Sequence, residues 1–327
     1  MDDRLDMLEQ WLREERGMAG CLVVPASGDA SFRRYFRVTH RGQTWIVMDA
    51  PPDKEDCHPF VKIAKAMGGM GLSVPEVLAA DFDKGLLLLS DLGTRQYLAE
   101  LNETTVSHLY GDAMQALMRL QQGPTDRGIL PPYSRTLLLN EMGLFRDWFL
   151  GRHLGLVLTE EELVVLDQAF TLLADSALEQ PMVWVHRDYH SRNLMVLQAG
   201  NPGILDFQDA VIGPVTYDLV SLLKDCYIAW PATQIQRWVE EYYQLIVDKQ
   251  LINEVGMERF RLWFERMGVQ RHLKAAGIFA RLNIRDHKPG YLQDIPRTFS
   301  YIMQATHADS SLIELRNLLQ RRAAPLV

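Results

Sequence analysis

Two aspartates and an asparagine, set at close intervals between short apolar runs, carry the clearest chemical potential in this chain. Residues 185–197 read V-H-R-D-Y-H-S-R-N-L-M-V-L, and G-I-L-D-F-Q-D follows at 203–209. Asp188 and Asn193 lie five apart in the first stretch, and Asp206 closes the apolar part of the second. The runs at 181–185, 194–197 and 203–205 have the length and composition of strands, so the polar residues fall in turns and at strand ends. A site that moves a phosphoryl group needs hard oxygens for a divalent cation and one carboxylate that can take the proton of an attacking hydroxyl. On that chemistry Asp188 is the candidate base, and Asn193 and Asp206 are candidate metal ligands.

The spacing of His186-Arg187-Asp188-Tyr189-His190-Ser191-Arg192-Asn193 resembles a kinase catalytic loop. Asp206-Phe207-Gln208-Asp209 stands where that fold carries its second metal-binding aspartate. With His190 present, H-x-D-x-H-x-x-N is more similar to the aminoglycoside phosphotransferase and choline kinase family than to protein kinases. The resemblance implies an α+β, protein-kinase-like bilobal fold with a small β-rich N-lobe, residues 1–92, and a larger helical C-lobe, residues 93–327. It also implies ATP and Mg²⁺ as cofactors.

The elements that must position these groups follow from periodicity. Leu5, Leu8, Trp11 and Leu12 recur at helical spacing over residues 5–15. Strands are expected at 21–24, 32–38, 43–50, 75–81 and 85–90, with a helix at 58–70. The turn between the first two strands contains Ser27, Gly28, Asp29 and Ser31, small residues that let backbone amides approach phosphate oxygens or simply make a hairpin. The third strand carries Met48 and Asp49 where the resembled fold has a phosphate-binding lysine. A methionine cannot donate to phosphate. The charge must then come from Arg33, Arg34 or Arg37 on the second strand, or from Lys54 or Lys62, and Arg33 is carried among the nucleotide-binding candidates. Asp91 and Leu92 occupy the position of the hinge whose backbone receives an adenine edge. Helices are expected at 104–122, 137–153 and 160–178, then from 213 to about 228, with four more helical stretches up to 322. The resemblance implies that Asp218 braces the catalytic loop.

Composition narrows the partners. A chain of 327 residues with 47% hydrophobic and 23% charged residues has room for two lobes with substantial cores. A formal charge of −8 disfavours nucleic acid or an anionic membrane surface, no apolar run approaches a membrane span, and the N-terminus lacks the order of a secretory signal. Three widely spaced cysteines, Cys21, Cys57 and Cys226, form no C-x-x-C pair and fit a reducing cytoplasm. A small-molecule acceptor, with no obligate protein partner, is the expectation.

Local charge bears on that acceptor. Residues 259–297 hold nine basic and three acidic side chains, a surplus of six in an acidic chain. Such a surplus suits a neutral or anionic acceptor better than a polycation. Trp230 and other aromatics interleave with these charges, as a pyranose with C–H faces would require. Glu141, beside aromatics at 142–149, is a further pocket candidate. The stretches S-G-D-A-S-F-R-R-Y-F-R-V, W-I-V-M-D-A-P-P, L-L-L-N-E-M-G-L-F-R-D-W-F and V-Q-R-H-L-K-A-A-G-I-F-A-R-L resemble bacterial sugar kinases that phosphorylate the anomeric hydroxyl of N-acetylmuramate and N-acetylglucosamine in peptidoglycan recycling. That likeness implies transfer to C1-OH and a use for Arg271, Lys274 or Lys288 on the muramate carboxylate. The competing expectations are another alcohol kinase of the same fold, acting on an aminoglycoside, choline or homoserine, and a non-catalytic nucleotide-binding module.

Overall fold

The computed structural model describes residues 2–28, 32–126 and 128–327. In chain order the elements are α1 (Asp3–Glu15), β1 (Leu22–Gly28), β2 (Arg34–His40), β3 (Gln43–Asp49), α2 (His58–Gly69), β4 (Val77–Asp81) and β5 (Leu86–Ser90). Then follow α3 (Tyr97–Glu100), α4 (Val106–Gln121), α5 (Arg135–Leu144), α6 (Glu160–Leu178), β6 (Met182–Val185), β7 (Leu194–Met195), β8 (Gly203–Ile204) and β9 (Val211–Pro214). The chain ends in α7 (Tyr217–Leu223), α8 (Ala232–Asp248), α9 (Met257–Asp286), α10 (Ile295–Ala308) and α11 (Ile313–Arg322). Two compact units result: Met1–Arg95 with Leu194–Gln208, and Gln96–Asn193 with Asp209–Val327. They correspond to the small sheet-based N-lobe and the larger helical C-lobe of the expected α+β class.

The first unit is built on an antiparallel sheet of order β1-β2-β3-β5-β4. Strand alternation sorts its faces. Phe36, Val38, Val47, Leu86 and Leu88 point to one side and form a core with Leu8, Trp11 and Leu12 of α1. The buried Asp49 lies on that same face, and Arg4 and Arg34 converge on its carboxylate. Tyr35, Met48 and Leu87 are paired across β2, β3 and β5 and therefore occupy the opposite face. Phe36 and Val38 face α1, so Tyr35 and Arg37 belong to the opposite face, where Met48 and Leu87 are buried as well. β7 and β8 form a small hairpin of the same unit, tied to it where the Ile204 amide donates to the Ser73 carbonyl.

The second unit is organised around the 30-residue α9, whose residues 267–274 are buried without interruption. A helix sheathed on all sides must satisfy every polar group it carries, and this run includes Gln270, Arg271, His272 and Lys274. Gly277 allows the tightest approach: a β-carbon there would lie 2.4 Å from the Leu144 carbonyl carbon.

Several expected elements differ. The helix foreseen over 137–153 is α5 followed by a π-helical segment, Phe145–His153. The strands at 194–197 and 203–205 are two-residue ladders. β6 pairs not with its neighbour in sequence but with β9, a strand the sequence reading missed because its G-P sequence suggested a helix start. The helix after it begins at Tyr217 and ends at Leu223, leaving Asp225 and Tyr227 in a connecting segment.

Candidate functional site

In the second unit the strand β6 delivers residues 186–193 into a tightly bonded loop. Arg187 adopts φ +77°, a left-handed conformation that costs a non-glycine residue energy and persists only when neighbours enforce it. The enforcing group is Asp218, whose two carboxylate oxygens accept from the His186 amide at 2.6 Å and the Arg187 amide at 3.0 Å. Burial pushes the Asp218 carboxyl up to about 6, against the pull of His186 and of those two amides. The Asp188 amide donates to His186 Nδ1 at 3.2 Å, and the Asp188 carbonyl accepts from the His190 amide and from Asn193 Nδ2, both at 3.0 Å. A second aspartate completes the frame: Asp225 accepts from the Ser191 amide at 2.9 Å, from Ser191 Oγ at 2.5 Å and from the Tyr227 amide at 2.9 Å.

The Asp188 carboxyl lies in a basic surround. Burial alone would raise it, but Lys274, then His190, Arg271 and Arg187, hold it well below the ordinary carboxylate range. Asp188 is therefore a permanently ionised acceptor. His190 is neutral, because burial pushes it down to about 4 despite Asp225 and Asp188 nearby. The cations of the surround are themselves anchored by Glu141, which is 5% exposed. Its carboxylate pairs with Arg187, receives Lys274 Nζ at 3.3 Å and accepts from the Tyr133 hydroxyl. Lys274 also donates to the Tyr217 hydroxyl at 3.1 Å.

In the first unit the arginines of the second strand sort themselves by partner. Arg34 is bound to Asp49 and Asp2, and Arg37 forms a forked pair with Asp91 at 2.7 and 3.0 Å while donating to the Gly93 carbonyl. Arg33, just before β2, lies 3.8 Å from Glu55 and 4.0 Å from Asp206. Arg33 thus stands beside Asp206 and beside an acid from the segment before α2. Asp206 is one-third exposed at φ +60°, with Gln208 Nε2 donating to it at 2.7 Å.

The donor types fit Mg²⁺. Asp206 offers a carboxylate, and Asn193 turns its amide nitrogen to the Asp188 carbonyl, which directs its amide oxygen the other way. Among the described residues no three His, Cys, Asp or Glu side chains gather as a self-contained metal site. A cation held by one or two protein oxygens together with phosphates needs none.

Of the residues singled out from sequence, Asp188, Glu141, Arg271 and Lys274 come together in the second unit, while Arg33 and Asp206 meet in the first. Asp29 and Ser31 lie outside the described residues; Ser27 and Gly28 end β1, paired to Tyr35 and Arg34. The Asp91 side chain is committed to Arg37, and Leu92 packs on the hairpin near Gly203. Trp230 donates from its indole nitrogen to the Tyr110 hydroxyl at 3.1 Å and packs edge-on against Trp238, a structural role. Lys288 lies just beyond α9, its amide donating to the Leu282 carbonyl. Asp225 was missed as a site-building group, and His190 was read only as part of the motif; Tyr227 is one of the aromatics that interleave with the basic segment. A lone aspartate in L-V-S-L-L-K-D-C-Y is the one signal that could have exposed Asp225, since an acid in an apolar run is buried with a purpose.

A profile of the phosphotransferase enzyme family matches residues 23–263. A Pseudomonas putida protein named N-acetylmuramate/N-acetylglucosamine kinase is 44% identical, the match covering 97% of this chain and 96% of that protein. A Pseudomonas aeruginosa protein of the same name is 47% identical over 91% of this chain and 87% of its own length. Among solved structures, the GDP complex of aminoglycoside 2'-phosphotransferase-IIIa superposes with a TM-score of 0.64 at 13% identity, covering 93% of this chain and 98% of that one. The fold is protein-kinase-like, the chain is a kinase, and it belongs to the phosphotransferase enzyme family.

Proposed function

We propose that this protein transfers the γ-phosphoryl group of ATP to the C1 hydroxyl of N-acetylmuramate and N-acetylglucosamine, in the cytoplasm and in the service of peptidoglycan recycling. The observation that carries the reading is Asp188 in its bonded loop, with Arg187 and Lys274 gathered on Glu141, in a chain matched nearly end to end by relatives named for those two sugars.

Asp188 accepts a hydrogen bond from the acceptor hydroxyl and orients its oxygen for in-line attack. The new P–O bond forms as the bond from phosphorus to the ADP oxygen breaks, and the hydroxyl proton passes to the Asp188 carboxylate. So strongly ionised a carboxylate is a weak base, and most of its contribution is orientation. The anomeric hydroxyl suits a weak base, because the ring oxygen makes it more acidic than the other ring hydroxyls. Arg33 is the proposed phosphate-binding cation of the first unit. Asn193 and Asp206 are the proposed Mg²⁺ ligands, and Mg²⁺ when bound neutralises charge on the phosphates.

The test is incubation with ATP, Mg²⁺ and each of N-acetylmuramate, N-acetylglucosamine, an aminoglycoside and choline, with ³¹P and ¹H NMR of the product. Phosphorus coupled to the anomeric proton of the amino sugars is the expected result. Transfer only to the aminoglycoside or choline would discard the substrate and keep the kinase.

A further inference from the structure

Around Asp225, next to the catalytic loop, several buried polar atoms lack a hydrogen-bond partner: His190 Nδ1, Arg271 Nε, Asp294 Oδ2 and Tyr301 Oη. Orphaned buried polar atoms are rare in folded proteins, and a group of them marks a place built for a polar ligand or ordered water. Arg271 reaches the Cys226 sulfur and His190 meets Tyr227, the two residues that follow Asp225 in the chain. One side of this region is aromatic: His190 meets Tyr227 edge-on at 5.2 Å, and Phe279 joins Tyr227 to Tyr291, against which it stacks at 5.7 Å. The Arg192 guanidinium lies over the Tyr227 ring at 3.7 Å and the Tyr291 ring at 5.7 Å, and orphaned donors and acceptors beside this wall match the polar rim of a sugar.

The cations near Asp188 differ in one respect. Arg187 and Lys274 share the Glu141 carboxylate. Arg271, 5% exposed, forms no ion pair with a carboxylate among the described residues; its Nη1 reaches only the Cys226 sulfur, at 3.6 Å. Asp188 and Asp225 favour its charged form without forming an ion pair, and the orphaned Nε is left for an anion to complete. The two proposed acceptors differ in one such group: N-acetylmuramate carries a lactyl ether ending in a carboxylate, and N-acetylglucosamine carries a hydroxyl there.

We infer that Arg271 is the specificity residue that receives the carboxylate of an acidic amino sugar, within an acceptor subsite beside Asp225 and Tyr227. The inference rests on the proposed function and deepens it, separating Arg271 from Lys274 and Lys288 as the carboxylate reader.

The experiment compares kcat/KM of the full chain for N-acetylmuramate and N-acetylglucosamine in wild type, Arg271→Met and Arg271→Lys, with a thermal melt of each. Loss of a charge-assisted hydrogen bond predicts that the muramate-to-glucosamine ratio falls about 10- to 100-fold in Arg271→Met, mainly through KM for the muramate, with partial recovery in Arg271→Lys. An unchanged ratio, with both activities falling together, would mean that Arg271 serves the reacting phosphoryl group or the fold, and would overturn the inference. If neither variant folds, the methyl ester of N-acetylmuramate asks the same question of the wild type. A KM raised at least tenfold by esterification upholds the inference, and an unchanged KM overturns it. Wild-type protein inactive on both sugars overturns the proposed function and this inference with it.

Discussion

Replacing Glu141 by glutamine is the sharpest available test of how the catalytic loop is held. The side chain is 7% exposed, and its two ionic partners, Arg187 and Lys274, are 17% and 9% exposed. Lys274 and Arg187 draw the Glu141 carboxyl below its usual range in spite of burial, so it enters the folded state ionised. Glu141→Gln preserves volume and removes the charge, leaving two buried cations without their anion. Breaking a buried pair from one side costs about 3–5 kcal/mol, chiefly through the uncompensated charge left behind. At about 2–4 °C per kcal/mol for a unit of this size, the melting temperature should fall by roughly 6–20 °C. Because Arg187 and Lys274 also act on the Asp188 carboxylate, kcat should fall even well below the melt. Urea titrations of Glu141→Gln, Lys274→Met and the double variant supply the assay. Removing one of the two stranded cations should return about 1–3 kcal/mol as coupling. A stability loss under about 1 kcal/mol, or single effects that add within about 0.5 kcal/mol, would refute the idea that Glu141 anchors the basic surround.

Asp188→Asn should lower kcat by about 10²–10⁴-fold, the range of a positioned proton acceptor, with nucleotide affinity measured by calorimetry nearly unchanged; comparable turnover would remove Asp188 from the mechanism. Arg33→Ala should raise KM for ATP at least tenfold while Arg34→Ala does not, because Arg34 is bound to Asp49 and Asp2; equal effects would mean that neither arginine is the substitute for the absent lysine. Acid should destabilise the fold above the ordinary carboxylate range. Burial pushes His190 down to about 4 and His272 down to about 3. Their contribution is therefore present above 6.5 and is lost as pH falls toward those values. Between pH 7.5 and 5 each loses about 2 kcal/mol. Asp218, raised to about 6, acts in the opposite sense and returns about 1.4 kcal/mol. Urea titration should register a net loss of roughly 2–3 kcal/mol, and a flat profile over this range would show that the histidines are not buried neutral.

What the sequence determined on its own is local and chemical. Asp188, Asn193 and Asp206 are legible because their spacing is set by one turn and one short hairpin, and a reaction type follows from residues so few positions apart. The sheet of the first unit is legible too, since apolar strands of five to seven residues between turn residues write themselves into the hydrophobic pattern. Charge read along the chain was a poorer guide. The basic surplus of residues 259–297 is not one surface: Arg259, Arg261 and Arg266 pair with Glu179, Glu240 and Asp309 from outside that segment, and Arg271 and Lys274 are buried. Which arginine lies beside Asp206 in the first unit depended on tertiary pairing: Arg34 goes to Asp49 and Asp2, Arg37 to Asp91, and Arg33 to Glu55 and Asp206. That Trp230 is structural and Arg271 unpaired depended on how α9 threads the second unit. Partners remote in sequence, such as Glu141 with Lys274 and Ser191 with Asp225, are fixed by burial and packing, and no spacing along the chain encodes which buried charge finds its counter-charge and which is left for a ligand.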